Sequence, residues 1–168
     1  DILAGDTRRP EFRRISRCGK IPVLQCGSSD FLAESNAILN FLAEGSPWLP
    51  ERGMERAKVL QWQFFEQYSH EPYIAVARYI NRYLGLPDER RDEYNRLQAP
   101  GHRALAAMEE QLAGSPFFVG NSPTIADLSL YAYTHVAHEG GFDLTPYESI
   151  QRWLGRIVEL PGYVAMGG

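Results

Sequence analysis

Apolar and polar positions along this chain change their rhythm near residue 45. Before it, short apolar runs alternate with turn residues. Ile2-Leu3 and Val23-Leu24-Gln25-Cys26 read as strands, and Gly27-Ser28-Ser29-Asp30 reads as a hairpin connection to a short strand at Phe31-Leu32. A helix is predicted from about Ser35 to Glu44, with Gly45 as its stop. The stretch Gly45-Ser46-Pro47-Trp48-Leu49-Pro50 reads as a linker. Beyond it the pattern is almost wholly helical. Residues 54–84 are aromatic-rich, and Pro72 predicts a kink or break at Glu71. Leu105, Met108 and Leu112 trace one face ahead of Gly114. Ile125, Leu128, Ala132 and Val136 trace a second, and Ile150, Leu154 and Ile157 a third before Pro161-Gly162. The expected organisation is a small α/β domain over residues 1–45, a linker over 46–53 and an all-helical domain over 54–168. No internal repeat or low-complexity tract is visible.

Charge and composition narrow the field. The chain has 168 residues, enough for one good core or two small ones. Its 17 Lys and Arg against 21 Asp and Glu give a formal net charge of −4, and no long basic run appears, which argues against a nucleic-acid partner. No segment approaches the roughly 20 apolar residues that cross a bilayer. The opening Asp1-Ile2-Leu3-Ala4-Gly5-Asp6 lacks the basic and apolar regions of a signal peptide, and it lacks Met, so it need not be the translated start. Cys18 and Cys26 are too few for a disulfide framework and read as free thiols in a reducing cytoplasm.

Three motifs carry candidate chemistry. In Gly19-Lys20-Ile21-Pro22-Val23-Leu24 a turn and a proline lead into a strand. A cis Pro22 would bend the strand edge outward and leave the Ile21 backbone groups free to pair with an extended peptide, whereas a trans Pro22 would merely open a strand. In Glu34-Ser35 an acid and a hydroxyl stand at the start of an apolar-periodic helix. They suit a ligand carrying both ammonium and carboxylate, or simply an N-cap beside a solvated Glu. Thr124-Ile125-Ala126-Asp127 reads as a structural capping box, with no catalytic role for Asp127.

These motifs, together with Trp48-Leu49-Pro50, stand in the order and approximate spacing found in glutathione transferases, and the chain most resembles the bacterial members. The resemblance covers nearly the whole length. It implies an α+β/α fold, with an incomplete thioredoxin-like N-terminal domain followed by an all-helical glutathione-transferase C-terminal domain, and a cytoplasmic homodimer. It also implies no permanently bound cofactor, glutathione as co-substrate and a small hydrophobic electrophile to be conjugated, as in detoxification. Carried over, Ile21 would hydrogen-bond the cysteinyl backbone of glutathione, Lys20 would reach its glycyl carboxylate, and Glu34 and Ser35 would hold its γ-glutamyl end. Pro22 would be the cis proline, and Thr124 with Asp127 the family's structural box. The family's first strand and first helix, which supply the Tyr, Ser or Cys that steadies the thiolate, have no counterpart in residues 1–168, where Asp1-Ile2-Leu3 resembles the second strand. The catalytic residue is therefore expected N-terminal of Asp1. A glutathione-dependent disulfide reductase or peroxidase, and a non-catalytic binding module of the same fold, are the alternatives.

Other features compete for attention. Cys18, near Arg17 and Lys20, is either an active thiol or an incidental one. His135, His138 and Glu139 lack the spacing of a zinc motif, so no metal is expected. Tyr68, His70 and Tyr73 around Pro72 read either as packing aromatics in a kinked helix or, by analogy with the family, as part of the electrophile pocket. Arg78 and Arg82, four apart, are either solvated or attract anionic substrates.

Overall fold

The structure, a computed structural model, describes residues 1–2 and 4–165. The chain forms two compact units, Asp1–Glu51 and Arg52–Gly168.

The first unit holds helix α1 (Pro10–Ile15), strands β1 (Val23–Cys26) and β2 (Asp30–Ala33), and helix α2 (Ser35–Ala43). Pro10 opens α1, where its missing N–H is no loss. The strands pair antiparallel, with Val23 opposite Ala33 and Cys26 opposite Asp30, and Gly27 takes φ 69° in the tight connection. The strand expected at Ile2-Leu3 is not found: Ile2 lies in a turn and is exposed, and Leu3 falls outside the described residues. Two apolar residues offer too little pattern to separate a strand from a turn. Helix α2 buries Ile38 and Ala43 and gives way to Gly45 at φ 71°.

The second unit is helical: α3 (Gly53–Phe65), α4 (Glu71–Arg78), α5 (Arg91–Ala113), α6 (Ile125–Thr134) and α7 (Glu148–Val158). The break expected near Glu71 takes the form of a π-helical turn over Glu66–His70, with Pro72 in the first turn of α4. A wider turn relieves the proline ring's pressure on the preceding carbonyls. Helix α5 runs unbroken through Pro100, and Leu105, Met108 and Leu112 face the core as their spacing predicts. The face expected on α6 is a poor guide. Leu128 and Ala132 are only half-buried and Val136 lies past the helix end, while Ile125, Ala126, Leu130 and Tyr131 are buried together with the polar Asp127, Ser129 and Thr134. A helix buried on most sides shows no single apolar stripe. On α7 the buried apolar set is Ile150, Trp153 and Ile157, with Leu154 at the margin. Its N-terminus is capped from α5, where Glu109 accepts from the Ser149 and Ile150 N–H groups at 2.8 and 2.9 Å. Among the described residues, no helix is long and apolar enough to cross a membrane.

Candidate functional site

The hairpin register decides which residues of the first unit can act together. Because Val23 faces Ala33, the residues just before β1 and just after β2, Lys20-Ile21-Pro22 and Glu34-Ser35, come to the same end of the hairpin. The Ile21–Pro22 peptide is cis. Lys20, Ile21, Pro22, Glu34 and Ser35 are all exposed, Ile21 at 55 %, a large value for an apolar side chain beside a strand. Among the described residues the Ile21 backbone groups, the Lys20 ammonium, the Glu34 carboxylate and the Ser35 hydroxyl have no hydrogen-bond or ion-pair partner. The ledge thus offers a backbone donor and acceptor, one cation, one anion and one hydroxyl.

Two local features hold it in shape. Ser16, buried at the end of α1, donates its hydroxyl to the Lys20 carbonyl at 3.0 Å and accepts from the Lys20 N–H at 3.3 Å. Gly19 has φ 65°, and a Cβ there would meet the Thr7 carbonyl oxygen at 2.8 Å and the Arg13 side chain at 3.1 Å. Ser16 was invisible as a functional support in the sequence, where its only signal is a hydroxyl four residues ahead of Lys20.

Glu34, not Ser35, occupies the N-cap position of α2, and Ser35 is the first helical residue. This corrects the expectation that Ser35 caps the helix. Glu34 takes φ 71° and ψ 116°, outside the small left-handed well, and its side chain makes no capping bond. A non-glycine residue so placed costs about 1–3 kcal/mol, strain of the kind that gathers at ligand sites. The uncapped start of α2, positive by its dipole, lies beside the Ser35 hydroxyl and suits a carboxylate.

In the second unit the expected pocket residues do not share one environment. Tyr68 is 83 % exposed and Tyr73 half-buried. His70 is fully buried, which corrects its expected place on an accessible pocket wall. Thr134 donates its hydroxyl to the Leu130 carbonyl at 2.6 Å, so its oxygen must accept from His70 Nε2–H at 2.9 Å. His70 Nδ1 is then a bare lone pair with no partner, and burial pushes the imidazole pKa down to about 3. A surface cavity of about 520 Å³ lies elsewhere in this unit, lined by Trp62, Ala107, Glu110, Gln111, Gly114 and Ser115.

Most of the remaining candidates, the two cysteines apart, have structural partners. Arg78 Nε donates to Glu139 at 2.5 Å and Arg82 stands 3.6 Å from the same carboxylate, so both are committed to an ion pair. His135 stacks on Tyr131, and no cluster among the described residues has the makings of a metal site. Cys18 and Cys26 are free thiols, Cys18 exposed. Thr124 Oγ1 accepts from the Ala126 N–H at 3.3 Å. Asp127, fully buried, accepts from the Thr124 N–H and hydroxyl at 2.8 and 3.2 Å, the Phe118 N–H at 3.1 Å and Trp153 Nε1 at 2.9 Å. Burial pushes its carboxyl pKa up, and these four bonds pull against it.

Known proteins resemble this chain in sequence and in fold. Residues 1–44 match the glutathione S-transferase N-terminal domain, and residues 91–156 match the C-terminal domain of the same family. The chain belongs to the glutathione S-transferase family. A crystal structure of a glutathione S-transferase from Pseudomonas fluorescens Pf-5 is 57 % identical, covers 98 % of this chain and 82 % of its own, and superposes with a TM-score of 0.97. The disulfide-bond oxidoreductase YfcG of Escherichia coli is 30 % identical over 96 % of this chain and 77 % of its own length. A maleylacetoacetate isomerase from Methylobacterium extorquens AM1, solved with malonate and glutathione bound, is 28 % identical over 95 % of this chain and 78 % of its own, with a TM-score of 0.76.

Proposed function

We propose that the chain is a glutathione transferase that binds glutathione at the end of the β1–β2 hairpin and supports its conjugation to a small hydrophobic electrophile. The observation that carries this reading is the set of unpartnered groups at that end, which matches the ligand group for group. The Glu34 carboxylate takes the γ-glutamyl ammonium, while the Ser35 hydroxyl and the start of α2 take the carboxylate on the same carbon. The Ile21 N–H and C=O pair with the cysteinyl backbone as an added strand would, and Lys20 meets the glycyl carboxylate. Held at both ends, the cysteinyl sulfur loses most of its freedom before reaction. As a thiolate it attacks an electrophilic carbon. A C–S bond forms, and the displaced group leaves with its bonding pair, or, in an addition, that pair moves onto the neighbouring atom and is protonated. No described residue is assigned to stabilising the thiolate. The resemblance further suggests a cytoplasmic homodimer, and sedimentation at several concentrations would test the dimer.

Calorimetric titration with reduced glutathione tests the site. Saturable binding that is lost in Glu34→Ala, with the helical circular dichroism of the parent retained, is the expected result. A folded variant that binds as tightly as its parent would sink the assignment. The kinship with the E. coli disulfide-bond oxidoreductase favours a second reading, reduction of mixed disulfides with glutathione. Turnover of a glutathionylated disulfide without turnover of an aryl halide would select it.

A further inference from the structure

The net charge of −4 hides a local reversal. Between Arg8 and Lys20 stand Arg8, Arg9, Arg13, Arg14, Arg17 and Lys20, against the single acid Glu11. All six cations are exposed. Arg9 pairs with Asp6 at 2.8 Å, and the other five have no acidic partner among the described residues. This charge is not scattered. Arg13 lies along the Gly19 turn, its Cδ and Nη1 both 3.1 Å from where a Gly19 Cβ would stand, and Arg17 opens the same turn that Ser16 ties to Lys20. The cations therefore start beside Lys20, where the peptide's glycyl end is seated in the proposed site, and continue through the turn into α1. Glutathione brings one carboxylate to that end, far fewer negative charges than the cations waiting there.

Resting on the glutathione site argued above, we propose that this basic segment is an extension of it, and that its preferred ligands are γ-glutamyl thiol peptides longer than glutathione whose residues beyond the glycine are acidic. Unpaired exposed cations repel one another, and an anionic ligand relieves that repulsion while gaining attraction from each. Exposed pairs are individually weak, so the effect is cumulative and screened by salt.

The test compares three peptides by calorimetry: glutathione, γ-Glu-Cys-Gly-Glu-Glu and γ-Glu-Cys-Gly-Gln-Gln. The acidic extension is expected to bind roughly tenfold more tightly than the amide extension at low ionic strength. That ratio should fall toward one in about 0.5 M salt, and also in the double variant Arg14→Gln/Arg17→Gln. Equal affinity of the two extended peptides, or a ratio that survives in the double variant, would overturn the extension alone. Failure of all three peptides to bind would overturn the glutathione site with it.

Discussion

Lowering the pH from about 7.5 to about 5 should destabilise the helical unit through His70, by an amount the structure lets one work out. The imidazole is fully buried, donates from Nε2 to Thr134 and presents a bare Nδ1 to its surroundings. Its folded pKa of about 3 lies below the reference of 6.5, because burial penalises the cation. Between those values the unfolded chain binds one proton that the folded chain refuses, so stability falls as the pH falls. The slope is about 1.4 kcal/mol per pH unit below 6.5, which gives a loss of about 2 kcal/mol at about pH 5 and about 5 kcal/mol near pH 3. Against a total stability of about 5–15 kcal/mol this is a large share. Urea titrations at a series of pH values, on the parent and on His70→Leu, isolate the term. Carboxylates titrate alike in both proteins, so subtracting the two curves leaves His70. The leucine variant should lack this slope, so the gap between the proteins should change by about 2 kcal/mol between about pH 6.5 and about pH 5. Parallel curves would refute the reasoning and mean that the imidazole is reached by water or protonated in the native state.

Replacing Glu34 by Gly should remove the backbone strain and raise stability by up to about 1 kcal/mol while glutathione binding is lost; an unchanged or lower urea midpoint would argue that φ 71° is not strained here. Asp127→Ala should cost about 3–5 kcal/mol, because it strands buried donors on Phe118, Thr124 and Trp153, and Trp153 fluorescence in a denaturant titration would register it. Gly101→Ala should cost about 1–3 kcal/mol, read as a lower thermal midpoint, since its new methyl runs into the Phe142 ring.

What was legible in the sequence was local. The β1–β2 hairpin followed from alternation and a Gly-containing turn, and the Thr124–Asp127 box from two residues three apart. Glu34 and Ser35 stood out because an acid and a hydroxyl preceded an apolar-periodic helix. What escaped was set by partners distant in sequence or by backbone angle. No spacing rule connects Glu109 to the start of α7 forty residues on, or Trp153 to Asp127. The φ of Glu34 leaves no trace in residue type, since a glycine would be the usual signal for it. The core side of α6 was misread because Asp127, Ser129 and Thr134 are polar yet buried, their groups spent on Thr124, Ile125 and Leu130. His70 beside Pro72 advertised chemistry, but only packing tells a buried imidazole from one that lines an opening.

The two units spend their polar groups in opposite ways, and the contrast bears on where substitution will be tolerated. In the helical unit, the bare Nδ1 of His70 apart, the buried and half-buried polar side chains that matter are matched: Asp127 by its donors, Glu139 by Arg78, Glu109 by the amides of α7. Removing any one leaves its partners stranded, so change there registers first as lost stability. In the hairpin unit the groups at the candidate site face outward and are unmatched, and one of them sits on a strained backbone. Folding alone does not call for Glu at position 34, where φ 71° favours glycine. On the proposed reading a ligand completes Glu34, Ile21 and Lys20 at one hairpin end, and substitutions there should change binding while leaving the folded state intact or firmer.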